Sequence, residues 1–556
     1  MRDDRGFVEK KKSGNVILSP KDPFTKSFIY QRLKRDLSSD QRPRLRFPPE
    51  PNGYLHLGHL KAIFLNFELA LAFGGTCHIR FDDTDPVKES HDFVQAIQED
   101  IDWLGYEIDK ISFTSEYFEK LYEHAIKLIK IGKAYVDEHS SEDFAKRYKG
   151  TPTSVGKESP FRNGSIDENL EKFQAMREGK YPEGHSVLRA KIDMSSPNMH
   201  LRDPALYRIK YVEHFRSKKK WCIYPMYDFA HSLSDSMERI THSLCTMEFE
   251  PHRPLYEWLI QTLDMYPSRQ IEFSRLNLSG LATSKRDILS LISSGQAEGW
   301  DDPHVYTLSG LRRRGYSPES LKDFIRNIGL SRREQVISPE VLDAQARKHL
   351  NRVATRRMVV LDPLKLTLTN YPDSPDSNLP ILSGPNNPEN PKSGRRELRF
   401  GKHLWIDKKD FKIDPPADFY RLAPGREVRL KYAYIIRCHD YLTNDLGEVI
   451  EVLASYDPKT RSGLVGSQKK VASTLSWVEK QTAIPIRVRE CPSSFSEKDR
   501  VFSQAWAESV LGEEIGEADK DHPKYYQFER IGYFVQDKNV KTSPPLFLKT
   551  VSLRSN

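Results

Sequence analysis

The sequence predicts an α/β fold, with a doubly wound parallel sheet first and a region of short strands after it. From residue 44 onward, segments of strand character alternate with segments of helical character, which is typical of parallel sheets covered by helices. Beyond Arg352 the chain changes to short strands such as EVRLKYAYIIR and GEVIEVLASY, separated by Pro, Gly, Asn and Asp. Clusters of turn residues between short strands favour β-barrels.

The parallel sheet is expected to begin with a strand, a loop and a helix. RLRF (Arg44 to Phe47) has strand character, PPEPNG is a turn-rich loop, and LHLGHLKAIFLNFELALAFGG forms a helix that ends at two glycines. TCHIRF supplies a second strand, and an acidic turn then leads into a helix whose apolar residues share one face. Ligands of such sheets bind beyond the carboxyl ends of the strands, where Arg46 and Asp82 stand.

The rest of the chain divides by texture. Residues 116–226 resemble an insertion, because WCIYPMYDFAHSLSD and QIEFSRLNL restore the alternation of strand and helix after them. YPDSPDSNLPILSGPNNPENPKSG is rich in loop-forming residues and is expected to be a long surface excursion. The predicted boundaries are an N-terminal extension at 1–43, two halves of the sheet domain at 44–115 and 227–275, an inserted domain at 116–226, a helical subdomain at 276–352 and β-barrels at 353–556.

Composition restricts the class of protein. A chain of 556 residues exceeds what one compact core usually holds, so several domains are expected. No apolar run approaches the ~20 residues that a membrane helix needs, so we expect no membrane association. The N-terminal MRDDRGFVEKKKSG has charges without an apolar stretch behind them, which argues against a signal or transit peptide and predicts a cytoplasmic protein.

Cysteine spacing and charge add two further expectations. The five cysteines are scattered and none stands in a C-x-x-C pair, so neither disulfides nor structural zinc are expected, and no metal-ligating residues are predicted. A net charge of +8 favours a polyanionic partner, although many basic proteins bind none.

The most informative short motif is His56-Leu57-Gly58-His59, at the start of the first predicted helix. The unpaired N–H groups of a helix start attract phosphate. Gly58 leaves room for an adenine ring, and His56 and His59 can hydrogen-bond a triphosphate as charge develops on it. Two histidines near a helix start can also be ordinary surface residues, and the surrounding PPEPNGYLHLGH is what favours the functional interpretation.

PPEPNGYLHLGH resembles the HIGH motif of the glutaminyl and glutamyl branch of class I aminoacyl-tRNA synthetases. RFDDTDP, WCIYPMYDFAH, SLCTMEF, SRLNL and GLRRRGY resemble further blocks of the glutaminyl enzymes and occur in the same order, so that the resemblance runs from about residue 44 to the C-terminus. It implies a Rossmann-type catalytic domain with an inserted acceptor-binding domain, a helical subdomain and two C-terminal β-barrels.

The same resemblance implies an activity and a set of partners. The expected reaction activates L-glutamine with ATP and Mg²⁺ to glutaminyl-adenylate and transfers it to the 3′-terminal adenosine of tRNA(Gln), with release of AMP and pyrophosphate. The protein is expected to act as a monomer. The family implies that activation of glutamine requires bound tRNA. No residue of the sequence reveals this requirement.

A second ATP element is expected at Ala282-Thr283-Ser284-Lys285-Arg286, in the place of the family's mobile KMSKS-type loop. Ser284 and Lys285 match that pattern fully, whereas Thr283 stands where methionine is usual. By itself, T-S-K-R is a solvated basic turn. Lys285 is the predicted transition-state stabiliser. The predicted catalytic residues are His56, His59, Ser284 and Lys285, and the predicted ATP site comprises Glu50, Asn52, His56, Gly58, His59, Arg275, Leu276, Thr283, Ser284 and Lys285.

The resemblance also assigns an amino-acid pocket. A carboxylate such as Asp82 is suited to an α-ammonium group, and Tyr227 and Gln270 offer neutral groups for a carboxamide. Cys245 stands where glutamate-specific relatives are expected to have cationic character, while Asp85 matches the glutamyl pattern. The predicted glutamine-binding residues are Arg46, Asp82, Tyr227, His231, Cys245, Phe249 and Gln270.

RNA contacts are expected on the C-terminal barrels, where guanidinium groups can stack on unpaired bases and donate to their edges. An arginine in a barrel strand can also simply be solvated. Pro251, near the expected acceptor-end contact, replaces an acidic residue found in some relatives. The predicted tRNA-binding residues are Arg356, Arg421, Arg429, Lys431, Gln527 and Arg530.

Three alternatives remain at this point. A glutamyl or non-discriminating enzyme would have the same architecture. A non-catalytic RNA-binding relative would explain the departures at Thr283 and Asp85, but the intact His56, His59 and Lys285 argue against it. A truncated tRNA-modifying relative would lack the barrels that the sequence predicts.

Overall fold

The computed structural model describes residues 22–87, 89–281, 284–373, 381–491, 500–515 and 523–554. They form two compact units. The first contains the described residues up to Ser279, together with 284–285 and 325–337, and the second contains 286–324 and the chain from Ser338 onward. Helices and strands both occur throughout, which confirms the predicted α/β class.

The strands of the first unit include every strand that the sequence predicted near the HIGH-like motif, with the same bounds for RLRF and TCHIRF. The strands are β1 (Arg44–Phe47), β2 (Thr76–Phe81), β3 (Lys110–Phe113), β4 (Ala134–Asp137), β5 (Val187–Ala190), β6 (Ala205–Ile209), β7 (Ile223–Pro225), β8 (His242–Thr246), β9 (Arg269–Phe273), β10 (Asn277–Leu278) and β11 (Val336–Ile337). Its helices are α1 (Phe28–Asp36), α2 (Leu57–Ala72), α3 (His91–Trp103), α4 (Phe118–Lys130), α5 (Ser141–Arg147), α6 (Ile166–Arg177), α7 (Tyr227–Met237) and α8 (Arg253–Thr262).

The parallel sheet carries the HIGH-like motif. Strands β1, β2 and β3 pair in parallel, and so do β8 and β9. The Thr241 N–H, just before β8, donates to the Arg44 carbonyl at 2.9 Å, which places β8 beside β1. Helix α2 is buried on most of its circumference, which explains why its sequence is apolar almost throughout. Parallel strands covered by such helices bring their carboxyl ends to one edge.

Between β3 and β8 the chain forms an antiparallel sheet in the order β4-β5-β6-β7. Its inward residues pack with α4, α6 and α7 into one apolar cluster that includes Phe118, Leu188 and Phe229. The N-terminal segment packs against α2, since the Phe24 ring meets the Phe64 ring edge-on with 5.5 Å between their centroids. Within the segment, Ser27 caps α1 by accepting the Tyr30 N–H.

Helical elements follow between residues 285 and 353, and a strand-rich region follows them. The helices are α9 (Lys285–Ser293), α10 (Leu308–Arg314), α11 (Pro318–Ile328), α12 (Pro339–Val353) and, later, α13 (Val510–Glu514). The strands are β12 (Thr355–Arg357), β13 (Val359–Val360), β14 (Pro363–Leu368), β15 (Ile381–Pro385), β16 (Arg395–Arg399), β17 (His403–Asp407), β18 (Glu427–Leu430), β19 (Ile435–Thr443), β20 (Val449–Asp457), β21 (Thr474–Leu475), β22 (Val478–Glu479), β23 (Ile484–Glu490), β24 (Arg500–Ala507), β25 (Tyr525–Phe528), β26 (Gly532–Gln536) and β27 (Leu546–Ser552).

The strands of the second unit form two seven-stranded sheets and a hairpin. One sheet has the order β21-β18-β19-β20-β14-β17-β22, and the other has the order β12-β25-β26-β27-β23-β24-β13. The first encloses a large apolar core around Phe400 and Trp477, and the second encloses a smaller one around Phe528 and Phe534. None of the described helices is long and apolar enough to cross a bilayer.

Two details differ from the sequence expectations. EVRLKYAYIIR forms two antiparallel strands, β18 and β19, rather than one, because Tyr432 adopts a left-handed backbone with φ of 62° between them. Part of the predicted surface excursion is ordered as the β15–β16 hairpin, in which Ile381 pairs with Arg399. Residues 374–380 of that excursion lie outside the described residues.

Candidate active site

The HIGH-like motif forms the N-terminus of α2, as the sequence predicted. His56 is the N-cap residue, and its Nδ1 accepts the Gly58 N–H at 3.1 Å. The His56 N–H in turn donates to His59 Nδ1 at 3.2 Å. The two imidazole rings lie 3.9 Å apart between centroids. Both rings are therefore held by the backbone that they cap.

These two histidines are neutral donors. Burial lowers the pKa of His56 to about 4, and burial together with the neighbouring His56 lowers the pKa of His59 well below its usual value. Because each Nδ1 accepts a backbone N–H, the single ring proton stands on Nε2 in the neutral form. Each Nε2–H can then donate to a phosphate oxygen without the repulsion that two adjacent imidazolium ions would feel.

Gly58 is required at this helix start by space. A Cβ on Gly58 would lie 2.8 Å from His56 Cε1 and 2.9 Å from His56 Nδ1, closer than real Cβ atoms approach other atoms. Any larger residue would displace the ring that caps the helix. The glycine thus keeps the imidazole in place, in addition to the open backbone that the sequence suggested for an adenine ring.

Lys285 reaches the loop that precedes the HIGH-like motif. It is the first residue of α9, and a Cβ on Gly53 would lie 3.4 Å from both Cδ and Cε of Lys285. Ser284, immediately before it, is exposed. The structure therefore brings Lys285 close to PPEPNG, the loop that leads into His56. Thr283 lies outside the described residues.

The other predicted ATP residues differ in their exposure and in their contacts. The Asn52 side-chain amide hydrogen-bonds the carboxylate of Glu50, which is exposed. Leu276 is buried, whereas Arg275 is half-exposed and pairs with Glu248. Sequence reasoning missed Lys61, one helical turn after His56, whose buried ammonium donates to the Ser274 carbonyl at 2.7 Å and fixes the SRLNL segment against α2.

The amino-acid pocket predicted from the resemblance is built around Arg46, whose side chain is fully buried. Its Nε donates to Asp235 Oδ1 at 3.0 Å and its Nη1 donates to the Leu244 carbonyl at 3.1 Å. Its Nη2 donates to Asp235 Oδ2 at 3.2 Å and to Ser243 Oγ at 2.5 Å. The nitrogens of Arg46 are thus all engaged within the protein.

Asp235 is the centre of this charge network. Its carboxylate also accepts from Arg80 Nη2 at 2.7 Å and from the Tyr256 hydroxyl at 3.1 Å. Burial alone would raise its pKa, but the two guanidinium groups of Arg46 and Arg80 hold the pKa of Asp235 well below its usual value. Arg80 pairs in addition with Glu238, at 2.9 Å. Arg46 and Arg80 thus share two buried carboxylates, and Asp235 also outweighs burial and raises the pKa of His231 to about 9.

Sequence reasoning missed Asp235, Arg80 and Glu238. A usable signal was present, since Asp235 follows His231 by four residues in YDFAHSLSD, and residues four apart share one face of a helix. His231 Nε2 lies 3.1 Å from Asp235 Oδ2. The partner arginine in β2, by contrast, could be found only once the strands were placed side by side.

Aromatic rings and amides complete the pocket. The Tyr227 ring lies 5.1 Å from the His231 ring and 5.2 Å from the Phe249 ring. The Gln270 amide donates to the Phe249 carbonyl at 3.0 Å, and Cys245 Sγ lies 3.7 Å from Arg46 Nη2. Six of the seven predicted glutamine-binding residues are therefore joined by direct contacts.

The seventh, Asp82, directly follows β2 and is buried. Burial raises its pKa to about 6, with Arg80 acting in the opposite direction. Its Oδ1 is buried without a hydrogen-bond partner among the described residues. A buried carboxylate oxygen without a partner is costly unless something fills the place, and an ammonium group would do so.

The predicted tRNA-binding residues lie in the second unit and differ in availability. Arg356 is buried and donates to the Ala354 carbonyl at 2.9 Å and to Asn351, so its role is to hold the chain where α12 ends. Arg429 donates to the carbonyls of Thr460 at 3.2 Å and Ser467 at 2.8 Å, and it supports the loop after β20.

The other members of this set keep accessible surface. Arg421 and Arg530 both pair with Asp410, at 3.2 and 2.6 Å, and their side chains are 39% and 27% exposed. Lys431 pairs with Glu529. Gln527 is half-buried in β25, opposite Tyr533. The structure thus gathers two predicted cations around Asp410 and a third around Glu529.

Comparison with known proteins identifies the class to which this fold and site belong. Residues 43–352 match the family described as tRNA synthetases class I (E and Q), catalytic domain, and residues 354–457 match the corresponding anti-codon binding domain. The chain is therefore a class I tRNA synthetase of the glutamate and glutamine group.

Individual relatives within that group define the family more narrowly. The chain is 44% identical to the glutamine–tRNA ligase of Rhodopirellula baltica, over 96% of this chain and 91% of the relative. It is 45% identical to that of Nitrosomonas europaea, over 92% and 95%. A crystal structure of a glutamate tRNA ligase from Elizabethkingia meningosepticum aligns with 56% of this chain and 70% of its own, at 20% identity and a TM-score of 0.43. This chain belongs to the glutamine–tRNA ligase family.

Proposed function

We propose that this chain is a glutamine–tRNA ligase. It activates L-glutamine with ATP to form glutaminyl-adenylate and pyrophosphate, and it then transfers the glutaminyl group to the 3′-terminal adenosine of tRNA(Gln) with release of AMP. Support comes from near full-length identity to glutamine–tRNA ligases and from the catalytic and anticodon-binding family matches. The observation that carries the choice of amino acid is that the nitrogens of Arg46 are all engaged within the protein.

Activation is a displacement at the α-phosphorus by the carboxylate of glutamine, and it needs alignment and charge stabilisation rather than a protein nucleophile. The free N–H groups at the start of α2 and the Nε2–H groups of His56 and His59 are positioned as donors to the triphosphate. Lys285, beside Gly53, supplies a positive charge that follows the departing pyrophosphate. Mg²⁺ is assigned as the counter-ion that accompanies ATP.

Glutamine is held by Asp82 at its ammonium group, where Oδ1 is left for a donor. Tyr227 is assigned to hydrogen-bond the carboxamide. A glutamate carboxylate in the same position would need a cationic partner, but Arg46 already donates to Asp235, Leu244 and Ser243. A further buried carboxylate near Asp235 and Glu238 would therefore find no free donor on Arg46. This balance favours glutamine.

The second unit is assigned to tRNA. Accessible surface, which base stacking and base-edge recognition require, remains on Arg421, Arg530 and Lys431. Residues 354–457 of this unit match the anticodon-binding domain of the family. We assign the reaction to the cytoplasm and to a monomer, in keeping with the sequence expectations.

The test is ATP–pyrophosphate exchange with the full chain, using glutamine and glutamate separately, each with and without tRNA(Gln). Glutamine should support exchange and glutamate should not, and the arms with and without tRNA show whether activation needs the RNA. Exchange with glutamate at a comparable rate would contradict the choice of amino acid. No exchange under any condition would contradict the assignment of an enzyme.

A further inference from the structure

Two histidines and an aspartate meet on the first unit, outside the network around Asp235. His200 lies in a short 3-10 turn (Met199–Leu201), Asp228 is the second residue of α7, and His252 ends a second 3-10 turn (Met247–His252). One ligating atom from each residue lies within 4.8 Å of the other two. Among the residues that the structure describes, no other group of three or more such side chains approaches this closely.

The contacts within the cluster are direct. His252 Nδ1 lies 2.7 Å from Asp228 Oδ1, and the His200 and His252 rings lie 3.8 Å apart between centroids, tilted by 37°. All three side chains are half-buried. Ligating atoms of the three residues therefore lie near one another, and each side chain keeps some exposure to solvent.

The surrounding chain holds the three residues in place. The Asn198 side-chain amide donates to the Pro251 carbonyl at 2.7 Å, which joins the two turns that carry the histidines. Asn198 Oδ1 also accepts the His200 N–H at 3.0 Å. The third residue, Asp228, is fixed at the start of α7, whose following residues are buried. The two turns that carry the histidines are thus joined by a contact that does not involve the ligating side chains.

We propose that His200, Asp228 and His252 bind a first-row divalent cation, with Zn²⁺ as the best fit. Two imidazoles and one carboxylate form a ligand set that suits zinc, cobalt or nickel better than magnesium or calcium, which prefer oxygen. Zinc-to-ligand distances of about 2.0 to 2.2 Å need only small side-chain rotations from the present spacing. Three protein ligands leave a fourth position, on the solvent side, for water.

A second His–Asp pair provides the matched control. His139 Nδ1 lies 2.8 Å from Asp137 Oδ1, almost the same contact as between His252 and Asp228. The remaining neighbours of the His139 ring are the Tyr148 and Phe161 rings rather than a second histidine. A His–Asp hydrogen bond alone therefore does not define the proposed site. The third ligand, His200, distinguishes the site from the His139–Asp137 pair.

Bound zinc would link the two turns to α7. His252 also contacts the Phe249 ring, at 5.5 Å between centroids, and Phe249 contacts Tyr227. One proposed ligand, His252, thus contacts a residue of the predicted amino-acid pocket. Its expected effect is to stabilise this edge of the first unit.

The experiment uses the full chain without a histidine tag, treated with a chelator and then titrated with ZnCl₂ in a calorimeter. Wild-type protein and His139→Ala should bind one Zn²⁺ per chain with a dissociation constant in the micromolar range or below. His200→Ala, His252→Ala and Asp228→Asn should each weaken binding at least about tenfold, since each removes one of three ligands. Cobalt should give visible d–d absorption in the wild type that the three variants lack.

A melting curve without metal shows first whether each variant is folded, and His200→Gln or His252→Gln replaces the alanine variant of the same histidine if that variant is not folded. Added zinc should raise the melting temperature of the wild type and of His139→Ala but not of the three ligand variants. The proposal is overturned if wild-type protein binds no zinc, or if the ligand variants that are folded bind it as tightly as His139→Ala does.

Discussion

Each unit contains a buried aspartate that pairs with two arginines, but the arginines of the two units differ in their exposure to solvent. In the first, Asp235 holds Arg46 and Arg80, and all three side chains are essentially inaccessible to solvent. In the second, the equally buried Asp410 holds Arg421 and Arg530, whose side chains stay 39% and 27% exposed. One network is closed to solvent. The other leaves guanidinium surface accessible.

This difference in depth has energetic consequences. Removing one partner of a fully buried pair leaves an uncompensated charge, whereas an exposed partner can be solvated. The first network should therefore be costly to disturb and should affect folding and amino-acid choice together. The second should be cheaper to disturb and should affect RNA binding.

The largest expected effect comes from Asp235→Asn. Arg46 and Arg80 would lose their shared carboxylate inside the protein, and we expect unfolding of the first unit to become easier by about 3 to 5 kcal/mol. Asp410→Asn is the matched substitution in the second unit and should cost clearly less. The free energy of unfolding of both variants is measured by denaturant titration, followed by tryptophan fluorescence and by adenylate formation. Equal losses would mean that depth does not distinguish the two networks.

Lys285→Ala tests the ATP end of the first unit. Adenylate formation should slow by about 10² to 10³, because the lysine charge matters most as pyrophosphate leaves, while ATP and tRNA binding stay nearly unchanged. Single-turnover adenylation is the measurement, with Arg286→Ala as the neighbouring control. If turnover is unchanged in Lys285→Ala, this lysine has no part in the reaction.

The pH dependence of glutamine use should report Asp82. Its pKa is raised to about 6 by burial, so the carboxylate that meets the α-ammonium is charged above that pH and lost below it. We therefore expect kcat/KM for glutamine to fall about tenfold per pH unit below this value and to be level above it. Asp82→Asn should give low activity without that dependence. A profile in the wild type that stays flat down to pH 5 would remove Asp82 from substrate binding.

Tyr227→Phe isolates one hydroxyl of the pocket, since phenylalanine keeps the stacking on His231 and Phe249. The preference for glutamine over glutamate should fall about tenfold, because a site that hydrogen-bonds its substrate discriminates through that bond. The KM for ATP should stay unchanged. Steady-state kcat/KM for both amino acids gives the ratio, and an unchanged ratio would make Tyr227 a packing residue.

The smallest effect is expected from Arg429→Ala in the second unit. Its guanidinium already supports the carbonyls of Thr460 and Ser467, so we expect KM for tRNA(Gln) to rise only several-fold, or about 1 kcal/mol. If Arg429 reads a base, the difference in KM between the cognate tRNA and a tRNA with a changed anticodon becomes smaller, and the salt dependence of tRNA binding is unchanged. If it contacts phosphate, both tRNAs weaken together. No change in either quantity would assign anticodon contacts to other residues.

The sequence predicted what is local. RLRF, TCHIRF and the HIGH-like helix start could be placed because their signals lie within a few residues: strand residues, a turn-rich loop and a helix start. The His–backbone hydrogen bonds that set the tautomers needed coordinates, although the residues were already identified.

The sequence did not predict contacts between segments far apart. Arg80 and Asp235 are 155 residues apart, and the ligands of the proposed zinc site come from three separate segments. Spacing rules recognise metal ligands on one helix or in one loop, so no pattern in the sequence indicated His200 together with His252. The same limit applies to Arg429, whose strand position could be predicted but not the carbonyls that accept hydrogen bonds from its guanidinium group.

The central claim is that the pocket around Arg46, whose donors are already engaged within the protein, selects glutamine. The most direct test is a charging assay in which tRNA(Gln) and wild-type protein meet equal concentrations of labelled glutamine and labelled glutamate. We predict that glutaminyl-tRNA exceeds glutamyl-tRNA by at least about 10³, as expected when a site pairs its polar groups with one substrate only. Comparable amounts of the two products would contradict the claim and would make this chain a non-discriminating enzyme.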